Sequence, residues 1–166
     1  MKRRRLFMII LFFLIAFTLH NIEEALFLPA WSKTSRFQRT VEPKVFYFAV
    51  SIVTLVACSI GALYLLGSEK LWITYLQTGL IGAMLINVIM PHAVAAITER
   101  RYAPGIVTGA VLLLPIGSVA MIHVIQSEKL TMLEAVFSSV GAGILLLGLI
   151  YILFGIGEKI CKLKPR

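Results

Sequence analysis

Residues 20–24 of the chain read H-N-I-E-E and lie inside an apolar run long enough to enter a membrane. On a helix, positions i, i+3 and i+4 share one face, so Glu23 and Glu24 both lie one turn from His20. An imidazole beside two carboxylates supplies either metal ligands or an acid and a base whose proton affinities are pushed apart. Ionisable groups at bilayer depth cost about 2.5–3.5 kcal/mol each even on insertion scales, so they require partners, a cation or a water-filled cavity.

A second polar set follows at Asn87, Pro91 and His92, and a third at Tyr102, Pro104 and Gly105 within Y-A-P-G. An open divalent site needs about three protein ligands, and catalytic zinc commonly takes two His and one Glu. His20, His92 and Glu24 meet that count and leave Glu23 as a base toward a bound water; exchanging the two glutamates is equally consistent. Asn87 or Tyr102 would stabilise a developing oxyanion. Pro91 removes the hydrogen bond owed to the carbonyl of Asn87, so the helix carrying His92 is expected to break there. Arg100 and Arg101 offer a clamp for an anionic group or act only as topology charges. His123, Glu69, Glu128 and Glu134 fall at the opposite membrane face.

These residues must be positioned by membrane helices. The 166 residues are 59% hydrophobic and 14% charged, with a mean hydropathy of +0.92, which excludes an ordinary soluble domain. Apolar stretches suited to a bilayer core of about 30 Å fall at 6–28, 45–66, 71–98, 106–125 and 133–157. One all-α bundle of five transmembrane helices is therefore expected, a single domain over 1–166. The short connectors G-S-E-K and Q-S-E-K make their flanking helices antiparallel neighbours. Residues 29–44, with Trp31, Phe37 and four basic residues, suit the headgroup region.

The parity of the spans brings 20–24, 87–92 and Tyr102 toward one side. Ten of the sixteen basic residues share that side, which favours a cytoplasmic face, whereas the opening M-K-R-R-R favours the reverse. The net charge of +8 accompanies apolar spans, so it points to membrane lipids as partners and not to nucleic acid. The opening segment resembles a signal peptide but lacks an A-x-A site, so it is expected to remain as the first span. Cys58 and Cys161 form no paired framework. Glycines along the fifth span suit close packing or a homo-oligomer.

H-N-I-E-E, a second histidine at His92 and Y-A-P-G, in that order, resemble the HXXEE-motif family of membrane proteins. The likeness runs from the first span into the fourth and includes A-L-F-L-P-A-W at 25–31. It implies a multi-pass protein of a bacterial plasma membrane, in a family suggested to hold membrane-embedded enzymes. It also marks His20, Glu23, Glu24, His92, Tyr102, Pro104 and Gly105 as motif positions. There is a fainter similarity to intramembrane proteases with E-E-x-x-x-R, from which the chain departs at Leu28. The residues favour metal-dependent hydrolysis of a lipid or lipid-linked substrate, with a divalent metal such as zinc. A small proton- or cation-coupled transporter and a membrane binding or immunity factor are the alternatives.

Overall fold

The computed structural model describes residues 2–36, 38–67, 70–127 and 129–162. Phe37, Glu69 and Glu128 lie outside the described residues. Five helical spans run Arg4–Trp31, Pro43–Gly67, Leu71–Glu99, Ile106–Gln126 and Met132–Ile160, each long and apolar enough to cross a membrane. The described residues contain no strand. Large apolar side chains such as Leu66, Leu145 and Tyr151 point outward, as expected where the surroundings are lipid.

Span one is longer than the sequence suggests. Its helix continues through Pro29 to Trp31. His20 is therefore eleven residues, about 17 Å along the axis, from that end, where the expected boundary at Leu28 put it eight residues away.

Spans three and four are interrupted side by side. Span three is regular from Leu71 to Asn87, then opens into a wide turn over Val88–Ala93 before resuming at Val94–Glu99. Met90 leaves helical geometry there (φ −129°, ψ 109°), beside the cis Met90–Pro91 bond. Span four has its own wide turn at Gly109–Leu113, which the sequence reading did not anticipate. At Gly109 a Cβ would lie 2.9 Å from both methyls of Val88, so glycine permits the two interrupted segments to touch.

The core below the site is built from Ile10, Phe13 and Phe17 of span one, Leu80, Ile81 and Val88 of span three, and Leu113 of span four, all buried. Span five packs on spans two and three, with Ser139 filling the notch at Gly82. At the opposite membrane face Glu134 accepts from the Thr131 backbone N–H (2.8 Å) and hydroxyl (2.8 Å), while the Glu134 N–H donates to the Thr131 hydroxyl (3.2 Å). This reciprocal cap starts span five, and the Tyr75 hydroxyl also donates to Glu134.

On the site's side, Glu99 fastens the two longer connectors together. Its carboxylate accepts from the Ser35 hydroxyl (2.8 Å), the Arg36 backbone N–H (2.8 Å) and Arg101 Nε (2.6 Å). Arg101 also donates to the Thr34 hydroxyl at 2.7 Å and lies over the Trp31 ring at 5.2 Å. Its guanidinium is thus used in holding the connectors, not as a free anion clamp.

Candidate functional site

Each end of the site begins with a backbone problem. The fourth span starts at Gly105 (φ +88°) with no side-chain cap of its own, so its first N–H groups need acceptors. Glu23 of span one provides them. Its carboxylate accepts from the backbone N–H groups of Gly105 (3.0 Å), Val107 (3.3 Å) and Thr108 (2.8 Å). It also accepts from the Tyr102 hydroxyl at 2.6 Å and from the Thr108 hydroxyl.

Both oxygens of Glu23 are engaged, and they face span four. That arrangement does not suit a base: with five donors on its two oxygens, Glu23 has no free lone pair aimed at His20 and His92. Tyr102 is correspondingly tied up. Its hydroxyl proton goes to Glu23 and its ring packs edge-on against Phe27, 5.8 Å between centroids. Partial burial and the adjacent Glu23 carboxylate raise its pKa above the ordinary phenol value.

Glu24, one residue on, turns to span three. Its Oε1 lies 3.1 Å from His92 Nε2 and 3.9 Å from His20 Nε2. The imidazoles are buried and meet edge to face, with centroids 5.0 Å apart. One ligand atom from each of His20, Glu24 and His92 falls within 4.8 Å of the other two. Asn87 completes the group, its Nδ2 lying 3.1 Å from His92 Nε2 and 3.5 Å from His20 Nε2.

The hydrogen bonds fix how His20 presents itself. The Thr108 hydroxyl spends its proton on Glu23, so at 3.3 Å from His20 Nδ1 its oxygen accepts the imidazole proton. The proton therefore sits on Nδ1, and the Nε2 lone pair points toward Glu24 and His92. Thr108 was not among the sequence candidates. Its only signal was its position three residues beyond Y-A-P-G, one turn into a helix that starts on a glycine.

The two imidazoles share a floor at Gly105. A Cβ there would lie 2.7 Å from His20 Cε1 and 2.8 Å from His92 Cε1. Glycine is required twice, by its positive φ and by this close approach.

The donor set suits a divalent cation. His92 Nε2 faces both the carboxylate of Glu24 and the amide nitrogen of Asn87 at 3.1 Å, and one ring nitrogen cannot donate to the first and accept from the second at once. A cation receiving lone pairs from both imidazoles and the carboxylate removes that conflict. Tetrahedral zinc with bonds of about 2 Å sets its ligand atoms about 3.3 Å apart, so these groups, which lie within 4.8 Å of one another, would draw together on binding.

Of the sequence candidates, His20, Glu24, Asn87 and His92 converge on one point. Glu23, Tyr102, Pro104 and Gly105 build the wall behind it. His123 lies near the far end of span four and takes no part.

A family profile described as "Protein of unknown function with HXXEE motif" matches residues 11–120. The chain is 40% identical over 153 residues to "Uncharacterized protein YrkK" of Bacillus subtilis (strain 168), covering 90% of this chain and 95% of that one. No solved structure matches the chain. With the motif residues assembled as one buried cluster and two thirds of its length matched, the chain belongs to the HXXEE-motif family.

Proposed function

We propose that the protein is a membrane-embedded, metal-dependent hydrolase of the bacterial plasma membrane, acting on a lipid or lipid-linked substrate. The observation that carries this reading is the convergence of His20, Glu24 and His92, from two different spans, within 4.8 Å in the interior of the bundle. Two imidazoles and a carboxylate form the set that binds zinc while leaving a position open. A bound divalent cation would polarise a substrate oxygen and acidify a water.

The chain's own residues divide the remaining work. His20 and His92 would hold the cation through Nε2 together with the Glu24 carboxylate, and Glu24, which is left short of donors, would also be the group placed to accept a proton. Asn87 directs an amide N–H toward the oxygen on which negative charge develops. Glu23 and Thr108 act through His20: they keep its proton on Nδ1 and its ring fixed. This moves the base from Glu23 to Glu24 and leaves Tyr102 as a support for Glu23.

Elemental mass spectrometry of the detergent-purified protein, beside His20→Ala and His92→Ala, tests the reading. Near-stoichiometric transition metal in the wild type, absent from both variants, is expected. A wild type that takes up no metal after reloading removes the hydrolase reading and shifts the weight to proton-coupled transport.

A further inference from the structure

The cluster borders an internal space. It opens onto a cavity of about 330 Å³ walled by spans one, two, three and five, with Glu24, Asn87 and His92 on its surface. Along span one the wall runs from Phe17 to Trp31, fourteen residues, or about 21 Å. Glu24 lies halfway.

The two halves of the cavity differ. Toward the middle of the membrane it is lined by Phe17, Val53, Ala83 and Gly143, with no ionisable side chain. Toward the headgroups it carries Gln38 and Trp31, whose buried indole N–H has no partner among the described residues. A buried donor of this kind calls for a partner, either a water or a polar group of a ligand.

The cavity also has a side opening. Ile86 and Met90 of span three and Leu147 of span five line it and are at the same time exposed on the outer, lipid-facing surface. On the other flank Phe46 and Phe154 meet edge to face, 6.3 Å between centroids, and bridge spans two and five. The interruption at Met90 thus stands at a flank whose lining residues are exposed on the outer surface.

We propose that this cavity holds an amphiphile with a single hydrocarbon chain, taken in sideways from the bilayer. The chain fills the Phe17–Gly143 half, the bond at its head lies against Glu24, His92 and Asn87, and the polar head reaches Trp31 and Gln38. This rests on reading the cluster as the reactive centre. Size argues for one chain and not two, because a cavity of about 150 Å³ already takes one benzene ring, and this one is about twice that. Depth argues for a membrane lipid lying in its ordinary orientation: one leaflet of hydrocarbon is about 15 Å thick, half of a core of about 30 Å.

Photolabelling tests the proposal without needing metal or activity. Chelator-stripped protein in lipid nanodiscs is irradiated with a dodecanoic acid bearing a terminal diazirine, and the labelled peptides are mapped by mass spectrometry. Labelling at Phe17, Val53 or Ala83, competed by plain dodecanoic acid, is expected. Gly143→Leu should reduce it about tenfold, equivalent to displacing roughly two methylenes at about 0.8 kcal/mol each. Gly141→Leu, whose side chain meets open space on the outer face, should not. Val50→Phe on the opposite wall should repeat the effect if the Gly143 variant does not fold. Label confined to outward residues such as Leu145 and Tyr151, or unaffected by filling the cavity, overturns the proposal. Competed labelling in a protein that never retains metal leaves the chain site standing and removes the hydrolase reading alone.

Discussion

Glu23 and Glu24 are adjacent in sequence, chemically identical, and turned about 100° apart on span one, yet their surroundings share almost nothing. Glu23 faces span four and accepts hydrogen bonds from three backbone N–H groups and two hydroxyls. Glu24 faces span three, and the imidazoles of His20 on its own helix and His92 across from it, with a cavity, take the place of a fully satisfied donor shell. A carboxylate with every lone pair engaged serves as structure, and one left short of donors at membrane depth is available to a cation or a proton. Which role each takes is decided by the neighbouring helix it meets.

That contrast fails first, if it fails, in the paired amide substitutions. Glu24→Gln should lower metal affinity more than about 100-fold, beyond what supporting residues contribute, and should leave the melting temperature in chelator unchanged or raised. Glu23→Gln should act mainly on stability, losing about 2–4 kcal/mol because an amide presents donors where backbone N–H groups already point, while metal affinity falls by no more than the about 10–100-fold of a supporting partner. Metal titration and thermal unfolding of both variants check this, and the opposite pattern would break the division.

A smaller effect sharpens it. Thr108→Val removes the hydroxyl that accepts from His20 Nδ1, and a loss of about 10–100-fold in metal affinity is expected. Thr108→Ser should restore both affinity and the nitrogen NMR signature of an Nδ1-protonated imidazole; failure of serine to rescue would reduce Thr108 to packing.

The smallest effect belongs to Tyr102→Phe, which removes one bond to a carboxylate from a half-exposed side chain. About 1 kcal/mol of stability and unchanged metal content are expected. The folded state raises the Tyr102 pKa, so the stabilisation is fully present below the unfolded value of about 10 and is lost as pH rises beyond it. Unfolding of wild type and variant should therefore differ by a constant amount from about pH 6 to 9 and converge at higher pH.

Much of this was legible in the chain. Five charge-poor stretches gave the five spans, because hydrocarbon admits only helices with internally satisfied backbones. The i, i+3, i+4 spacing placed His20 beside both glutamates, and Pro91 announced the break before His92. What stayed hidden depended on rotation and on distant partners. No local pattern tells which glutamate meets span four, since that follows from the packing of Val88 against Gly109 and the caps at 105–108. Thr108 and Glu99 were missed for the same reason, as an ordinary threonine and a span-end acid acquire roles only through partners about 65 to 90 positions away. The helix runs past Leu28 to Trp31 because Pro29 falls in a last turn where the chain is already pinned, with the Ser32 N–H donating to the Leu28 carbonyl at 2.8 Å.

The bond between Glu23 and span four also bears on how the protein is made. Span one leaves the ribosome first, carrying a carboxylate whose acceptors' partners lie 79 to 85 residues downstream. Until residues 102–108 arrive, the first span is an incompletely satisfied membrane segment. Completion of the fourth span is thus the step that supplies the donors for the first, so the two spans reach their final state in the bilayer together.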